Sequence, residues 1–310
     1  MSTTITPSEL DSLVTIKDFV RYAVSRFNQS GLFYGHGTTT ALDEAVYLVL
    51  QSLELPPELP EPYFDSRLLP SERAHLATMI ERRCRDQVPV AYLTQRAWFA
   101  GLEFYVDERV LIPRSPIAEL VEEQFQPWID PARVDRVLDL CTGSGCIAIA
   151  CAYAFPEATV DAADISEDAL EVARINVDRH HLGDRVRPVA SDLFSGLADE
   201  RYDLIVSNPP YVGAEEMASL PAEYRHEPEL ALAAGEEGLD LVVRMLHEAP
   251  RHLEPEGVLV VEVGNTQAAL EAKFPQVPFT WLDFEFGGHG IFVLSRQQLV
   301  DFRPVFAEAL

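Results

Sequence analysis

Between residues 134 and 263 short apolar runs alternate with segments of helical spacing, and no other feature constrains the fold as strongly. The runs 134–140, 159–164, 186–190, 202–207 and 258–263 read as strands, and helices fit between them at 147–154, 169–178 and 239–252. Such alternation predicts a parallel sheet with helices on both faces, the doubly wound α/β class. Two last runs, 279–286 and 291–294, are separated by Gly287-Gly288-His289-Gly290 and predict an antiparallel hairpin closing the sheet.

The chain before this region is patterned differently. Leu13, Ile16, Val20, Ala23, Val24 and Phe27 share one helical face, with Gly31 as the stop. Thr40 is placed to cap a second helix carrying Leu42, Ala45, Val46, Val49 and Leu53 inward, ending ahead of Pro56-Pro57. Ser71 is placed to cap a third, with Leu76, Met79 and Ile80 inward and Arg82, Arg83 and Arg85 solvated. This stretch holds no nucleophile-base pair and no ligand cluster. At 97–109 the pattern changes: Trp98, Phe99, Phe104, Tyr105 and Val106 flank Gly101, the signal of a strand pair. The expected division is a smaller all-helical domain over 1–96, a strand-pair linker over 97–113 and the α/β domain over 114–310.

Fifty acidic against 24 basic residues give a formal charge of −26, which disfavours stable binding to a phosphate backbone and favours a basic partner. Cys84, Cys141, Cys146 and Cys151 lack Cys-x-x-Cys spacing and read as core residues of a protein in a reducing compartment. His180-His181 and His289 have no partners at ligand spacing, so no metal is expected. With a polar, Thr-rich start and no apolar run of about 20 residues, the expectation is a cytoplasmic chain with no membrane association.

The segment Val137-Leu138-Asp139-Leu140-Cys141-Thr142-Gly143-Ser144-Gly145 is an apolar strand running into a Gly-rich turn and a helix. In a doubly wound fold that turn lies at the carboxyl ends of the strands, where ligands bind. Gly143 and Gly145 permit close approach of a ligand to backbone. Dinucleotide-binding proteins carry similar turns, but an acid at Asp139 repels a pyrophosphate and suits the amino group of a methionine moiety. The next strand ends at Asp164, able to accept from both ribose hydroxyls, and the third at Ser191-Asp192-Leu193, where Asp192 suits an adenine amino group and Leu193 its ring. One such acid is unremarkable at a strand end; three at successive strand ends around one Gly-rich turn point to S-adenosyl-L-methionine.

The strand 202–207 delivers Asn208-Pro209-Pro210-Tyr211 to the same edge. The nitrogen of a planar amide or aromatic amine is a poor nucleophile because its lone pair is delocalised, so a site that uses one must orient it. The Asn208 side-chain carbonyl and the Pro209 backbone carbonyl suit the two N–H hydrogens, the prolines stiffen the loop, and Tyr211 suits stacking on a flat acceptor. No general base is evident.

On these residues the sequence resembles the HemK/PrmB family of protein-glutamine methyltransferases over nearly the whole chain. The match comprises Asp139 to Gly145, Asp164, Asp192 and Asn208 to Tyr211, with a helical N-terminal domain for substrate recognition. The resemblance implies a Rossmann-like class I methyltransferase sheet. Ala97-Trp98-Phe99, Phe104 to Arg109 and Leu111 to Leu120 resemble the branch acting on the third protein of the large ribosomal subunit, since the release-factor branch carries a Pro-Glu-Thr-Glu-like run after the residue matching Arg114. The implied partner is a basic large-subunit ribosomal protein. Arg114 is open to two readings, substrate or cofactor contact and a loop-anchoring ion pair. Residues 226–232 are likewise either part of a lid or a structural loop. Two rival functions share these motifs: an exocyclic-amine methyltransferase of DNA or RNA, which the charge disfavours, and a non-enzymatic binder of adenosyl ligands.

Overall fold

The computed structural model describes residues 5–285 and 287–310, and the chain divides into two compact units, 1–96 with 221–226 and 97–220 with 227–310. The first contains α1 (Pro7–Ser12), α2 (Ile16–Ser30), α3 (Ala41–Ser52), α4 (Pro70–Asp86), α5 (Val90–Thr94) and the 3-10 turn Ala222–His226. Thr15 and Thr40 cap α2 and α3 by accepting from the backbone N–H three residues on, and Gly31 ends α2 at a φ of 64°. Phe19, Phe27, Leu48 and Leu76 are fully buried between these helices.

Three expectations for this unit are corrected. Leu69, not Ser71, is the N-cap of α4, because Pro70 occupies the first helical position, where no N–H is needed. Leu42 is 55% exposed and Leu48 takes the core position one turn away from Ala45. Arg83 is not solvated. It is 1% exposed, with Nε 2.7 Å from Glu44, Nη1 3.2 Å from Glu223 and Nη2 3.0 Å from the Phe33 carbonyl. A guanidinium in that setting needs its carboxylates, and one of them comes from the distant segment 221–226.

The second unit opens with β1 (Ala97–Phe99) and β2 (Leu102–Phe104), an antiparallel pair whose turn residues Ala100 and Gly101 both have positive φ. Its main sheet contains β3 (Arg136–Leu140), β4 (Thr159–Asp164), β5 (Val186–Ala190), β6 (Tyr202–Ser207), β7 (Leu253–Glu262), β8 (Thr280–Trp281) and β9 (Ile291–Ser295). The strand order is β5-β4-β3-β6-β7-β9-β8, with β3 to β7 parallel and the last two antiparallel. Successive residues face opposite cores: Val137, Val160 and Leu204 join α6 (Ile117–Glu122), α7 (Cys146–Ala154) and α8 (Glu167–Arg179). Leu138, Ile205 and Leu259 join α10 (Asp240–Glu248), α11 (Gln267–Lys273), α12 (Arg296–Asp301) and α13 (Arg303–Ala307); a short α9 (Ala214–Ser219) follows the loop 208–211. The helix expected over 239–252 instead becomes a 3-10 turn at Ala249–Arg251, where Pro250 has no N–H to continue it. Strand β8 is shorter than the expected 279–286, of which Phe286 lies outside the described residues; Gly287, Gly288 and Gly290 all take positive φ and keep the connection out of the ladder. No described helix is long and apolar enough to cross a membrane.

Candidate functional site

Strand order reverses between β3 and β6, and the carboxyl ends of these two strands open a crevice at that point. The Ser207 hydroxyl donates to the Leu140 carbonyl at 2.7 Å and fixes the two ends against each other. A cavity of about 230 Å³ lies there, and all the residues lining it belong to the second unit.

The Gly-rich turn enters this cavity through Leu140, Cys141, Thr142, Gly143 and Ser144. Its two glycines serve different ends. A Cβ on Gly143 (φ 55°) would meet nothing within 4 Å, so open space lies above the backbone there, whereas one on Gly145 would fall 3.3 Å from the Ala173 Cβ, where α7 packs on α8. Cys141 also holds a positive φ of 60°, and burial keeps its thiol well above the ordinary range, as neutral packing material.

Asp139 is 0% exposed and does not line the cavity. Its Oδ2 accepts from the Thr142 hydroxyl at 2.5 Å and from the Ala148 N–H at 3.0 Å, while Oδ1 has no partner. Burial pushes the carboxyl up to about 7. The expectation that it meets a methionine amino group is thereby corrected: the strand pleat points it inward, where it braces the turn from behind.

Asp164 does line the cavity, with one oxygen accepting from the Gly143 N–H and the other from the Ser166 N–H, both at 2.9 Å. Burial raises its carboxyl above the usual range. Asp192 is half-exposed at the rim, its Oδ1 held 2.9 Å from Arg244, and Leu193 is buried beside it. Ile165 and Leu230, 58% and 59% exposed, give the cavity apolar walls; Ile165 stands between Asp164 and Ser166, outside any apolar run, whereas Leu230 belongs to the segment 226–232.

Asn208 and Pro210 line the cavity; Pro209 and Tyr211 do not. The Tyr211 hydroxyl donates to Glu262 at 3.0 Å, and its ring lies against Gly264, where a Cβ would fall 2.7 Å from Cε2. Stacking of that ring on an acceptor is therefore not what this geometry offers; Tyr211 anchors the loop. Arg114 lines the cavity and grips Glu227, a side chain 0% exposed, through both nitrogens at 2.5 and 2.9 Å. Glu227 also accepts from the Ile112 N–H at 3.0 Å, so the ion-pair reading of Arg114 holds. The segment 226–232 splits: His226 belongs to the first unit, while Pro228, Leu230 and Ala231 line the cavity.

Residues absent from the sequence reading complete the frame. Asn176 is fully buried in α8, its amide donating to the Ser144 carbonyl at 2.8 Å and to that of Tyr105 at 3.0 Å while its oxygen accepts from the Tyr105 N–H. Glu262 and Arg244 are the others. The available signal was a polar residue inside an apolar run, as at Glu262 after Val258 to Val261.

A family model described as methyltransferase small domain matches residues 123–222. A protein of Neisseria meningitidis serogroup A named "Ribosomal protein uL3 glutamine methyltransferase" is 53% identical over 289 residues, 93% of this chain and 95% of its own. A protein of the same name from Neisseria gonorrhoeae is 52% identical over 93% of this chain and 96% of its own. Among solved structures, a methyltransferase from Pyrococcus furiosus is 21% identical, covering 63% of this chain and 89% of its own with a TM-score of 0.45.

Proposed function

Because the chain belongs to the HemK/PrmB family of protein-glutamine methyltransferases, we propose that it methylates the side-chain amide nitrogen of a glutamine in the large-subunit ribosomal protein uL3, using S-adenosyl-L-methionine. The observation that carries this reading is the presence of Asn208 and Pro210 on the same cavity as the Gly-rich turn, in a chain half-identical to relatives of that name. The cavity fits the donor by its chemistry. Open space above Gly143 admits an aminoacyl arm, Asp164 offers carboxylate oxygens for ribose hydroxyls, and Ile165 and Leu230 supply apolar walls for a purine. Asp192, held by Arg244 through one oxygen, has the other to accept from an exocyclic amine. When bound, S-adenosyl-L-methionine supplies an electrophilic methyl on a sulfonium.

The chain's own residues then orient the nucleophile. Asn208 accepts one amide hydrogen on its side-chain oxygen and the Pro209 carbonyl accepts the other, which holds the nitrogen in one attitude toward the cavity. Tyr211 acts behind the cavity wall by fixing the loop, and Arg114, on the wall itself, ties Glu227 to it. The helical unit is assigned to recognising the protein substrate. The net charge of −26 suits a basic ribosomal protein and disfavours naked nucleic acid.

The test is methyl transfer to unmodified uL3, to release factors and to ribosomal RNA, with the modified residue located by mass spectrometry. One added methyl on a uL3 glutamine is expected. A release-factor glutamine overturns the partner, and a methylated base overturns the substrate class.

A further inference from the structure

A carboxylate with no role in the reaction scheme above lies directly beneath the acceptor loop. Glu262 ends β7 at 5% exposure, and its two oxygens are used separately: Oε1 accepts from the Tyr211 hydroxyl at 3.0 Å, and Oε2 from the hydroxyl of Ser115. Ser115 lines the cavity and accepts from the Ile117 N–H at 3.1 Å, at the start of α6. One buried side chain therefore ties two parts of the cavity wall, the acceptor loop and the segment before α6, to the end of a central strand. The seat around it is backbone. Gly264 (φ 48°) leaves no room for a side chain under Tyr211, Gly238 would place a Cβ 2.2 Å from the Tyr211 carbonyl oxygen, and Val263 donates to the Gly290 carbonyl at 2.7 Å.

We propose that Glu262 is a positioning residue for methyl transfer, acting through Tyr211 and Ser115 to fix the two carbonyl acceptors at Asn208 and Pro209. The inference rests on the amide-orienting reading of that loop. Pro209 and Pro210 each have a fixed φ, so a shift of Tyr211 is passed along the loop to Asn208 and not absorbed on the way. A misplacement of about 1 Å at a reacting group costs roughly 100-fold in rate. Two hydroxyl donors, one to each oxygen, match the ionised carboxylate. Arg114 and His289 favour that form, while burial opposes it and raises the carboxyl above the usual range.

The experiment compares single-turnover methylation of uL3 by the full-length wild type, Glu262→Ala, Glu262→Gln, Tyr211→Phe and the Glu262→Ala/Tyr211→Phe double variant. Calorimetric titration of each with S-adenosylhomocysteine accompanies it. Glu262→Ala and Tyr211→Phe should each lose roughly 100-fold in rate. Glu262→Gln, which keeps the shape and one acceptor, should recover most of it. The double variant should match the slower single within about twofold, since both singles break the same Tyr211–Glu262 link. Affinity for S-adenosylhomocysteine should stay near the wild-type value. Multiplying losses, or a fall in S-adenosylhomocysteine affinity equal to the fall in rate, would overturn the proposal. Should Glu262→Ala fail to fold, a wild-type rate in Tyr211→Phe overturns it equally. Failure of the underlying reading is separately visible, as wild-type modification of something other than an amide.

Discussion

Replacing Asp139 with Asn tests the bracing role directly. In the folded protein this carboxyl is raised from 3.8 to about 7 by burial, so between those values the folded chain holds a proton that the unfolded chain has released. Stability must then fall as pH rises through the window. The slope is about 1.4 kcal/mol per pH unit, and a window of roughly three units gives a loss of about 4 kcal/mol from this one group. An Asn with its oxygen in the Oδ2 place keeps the acceptor for Thr142 and Ala148 and puts its NH₂ where Oδ1 has no partner. It cannot ionise. Urea unfolding of both proteins from about pH 4 to about pH 8 should show the variant gaining on the wild type by about 4 kcal/mol across the range. Parallel curves would refute the assignment of that titration to Asp139. Titration with S-adenosylhomocysteine supplies a second reading: a side chain walled off behind the turn predicts retained affinity. A variant of normal stability that no longer binds it would show that Asp139 meets the donor after all.

Asp164→Ala should weaken affinity for S-adenosylhomocysteine by about tenfold or more, because it removes the acceptor for ribose hydroxyls and leaves the Gly143 and Ser166 N–H groups unpaired; calorimetry reads it. Asn208→Ala should abolish single-turnover methylation while leaving that affinity near normal, since the residue aims the acceptor and adds little to donor binding. Arg83→Met strands Glu44 and Glu223 in the helical unit without their cation and should cost about 3–5 kcal/mol, measured by thermal or chemical unfolding. Deletion of 1–96 should give a soluble, donor-binding protein only when 221–226 is also replaced by a polar linker, judged by yield and S-adenosylhomocysteine titration, because Glu223 is otherwise left without Arg83.

The sequence by itself determined the sheet and the edge at which its chemistry gathers. The interior strands β4 and β6 are buried on both faces over most of their length and fall on the apolar runs that hydrophobic patterning predicts, and the edge strand β5, only partly buried, still coincides with the run 186–190. The Gly-rich turn, Asp164, Asp192 and Asn208-Pro209-Pro210-Tyr211 then occupy the ends of consecutive strands because strand direction in a parallel sheet leaves them nowhere else. What only the tertiary structure decided is where the charged and polar side chains turn. Asp139 and Asp164 look alike as acids at strand ends, yet the pleat buries one behind the turn and opens the other to the cavity. Tyr211 reads as a stacking residue until Glu262, 51 residues on, takes its hydroxyl. Arg83 reads as solvated until Glu223, 140 residues away, is brought to it by a six-residue excursion of the chain. The physical reason is common to all three: burial of a strand or helix face is a local property carried by spacing, whereas the fate of a buried polar group depends on a partner whose position local spacing does not encode.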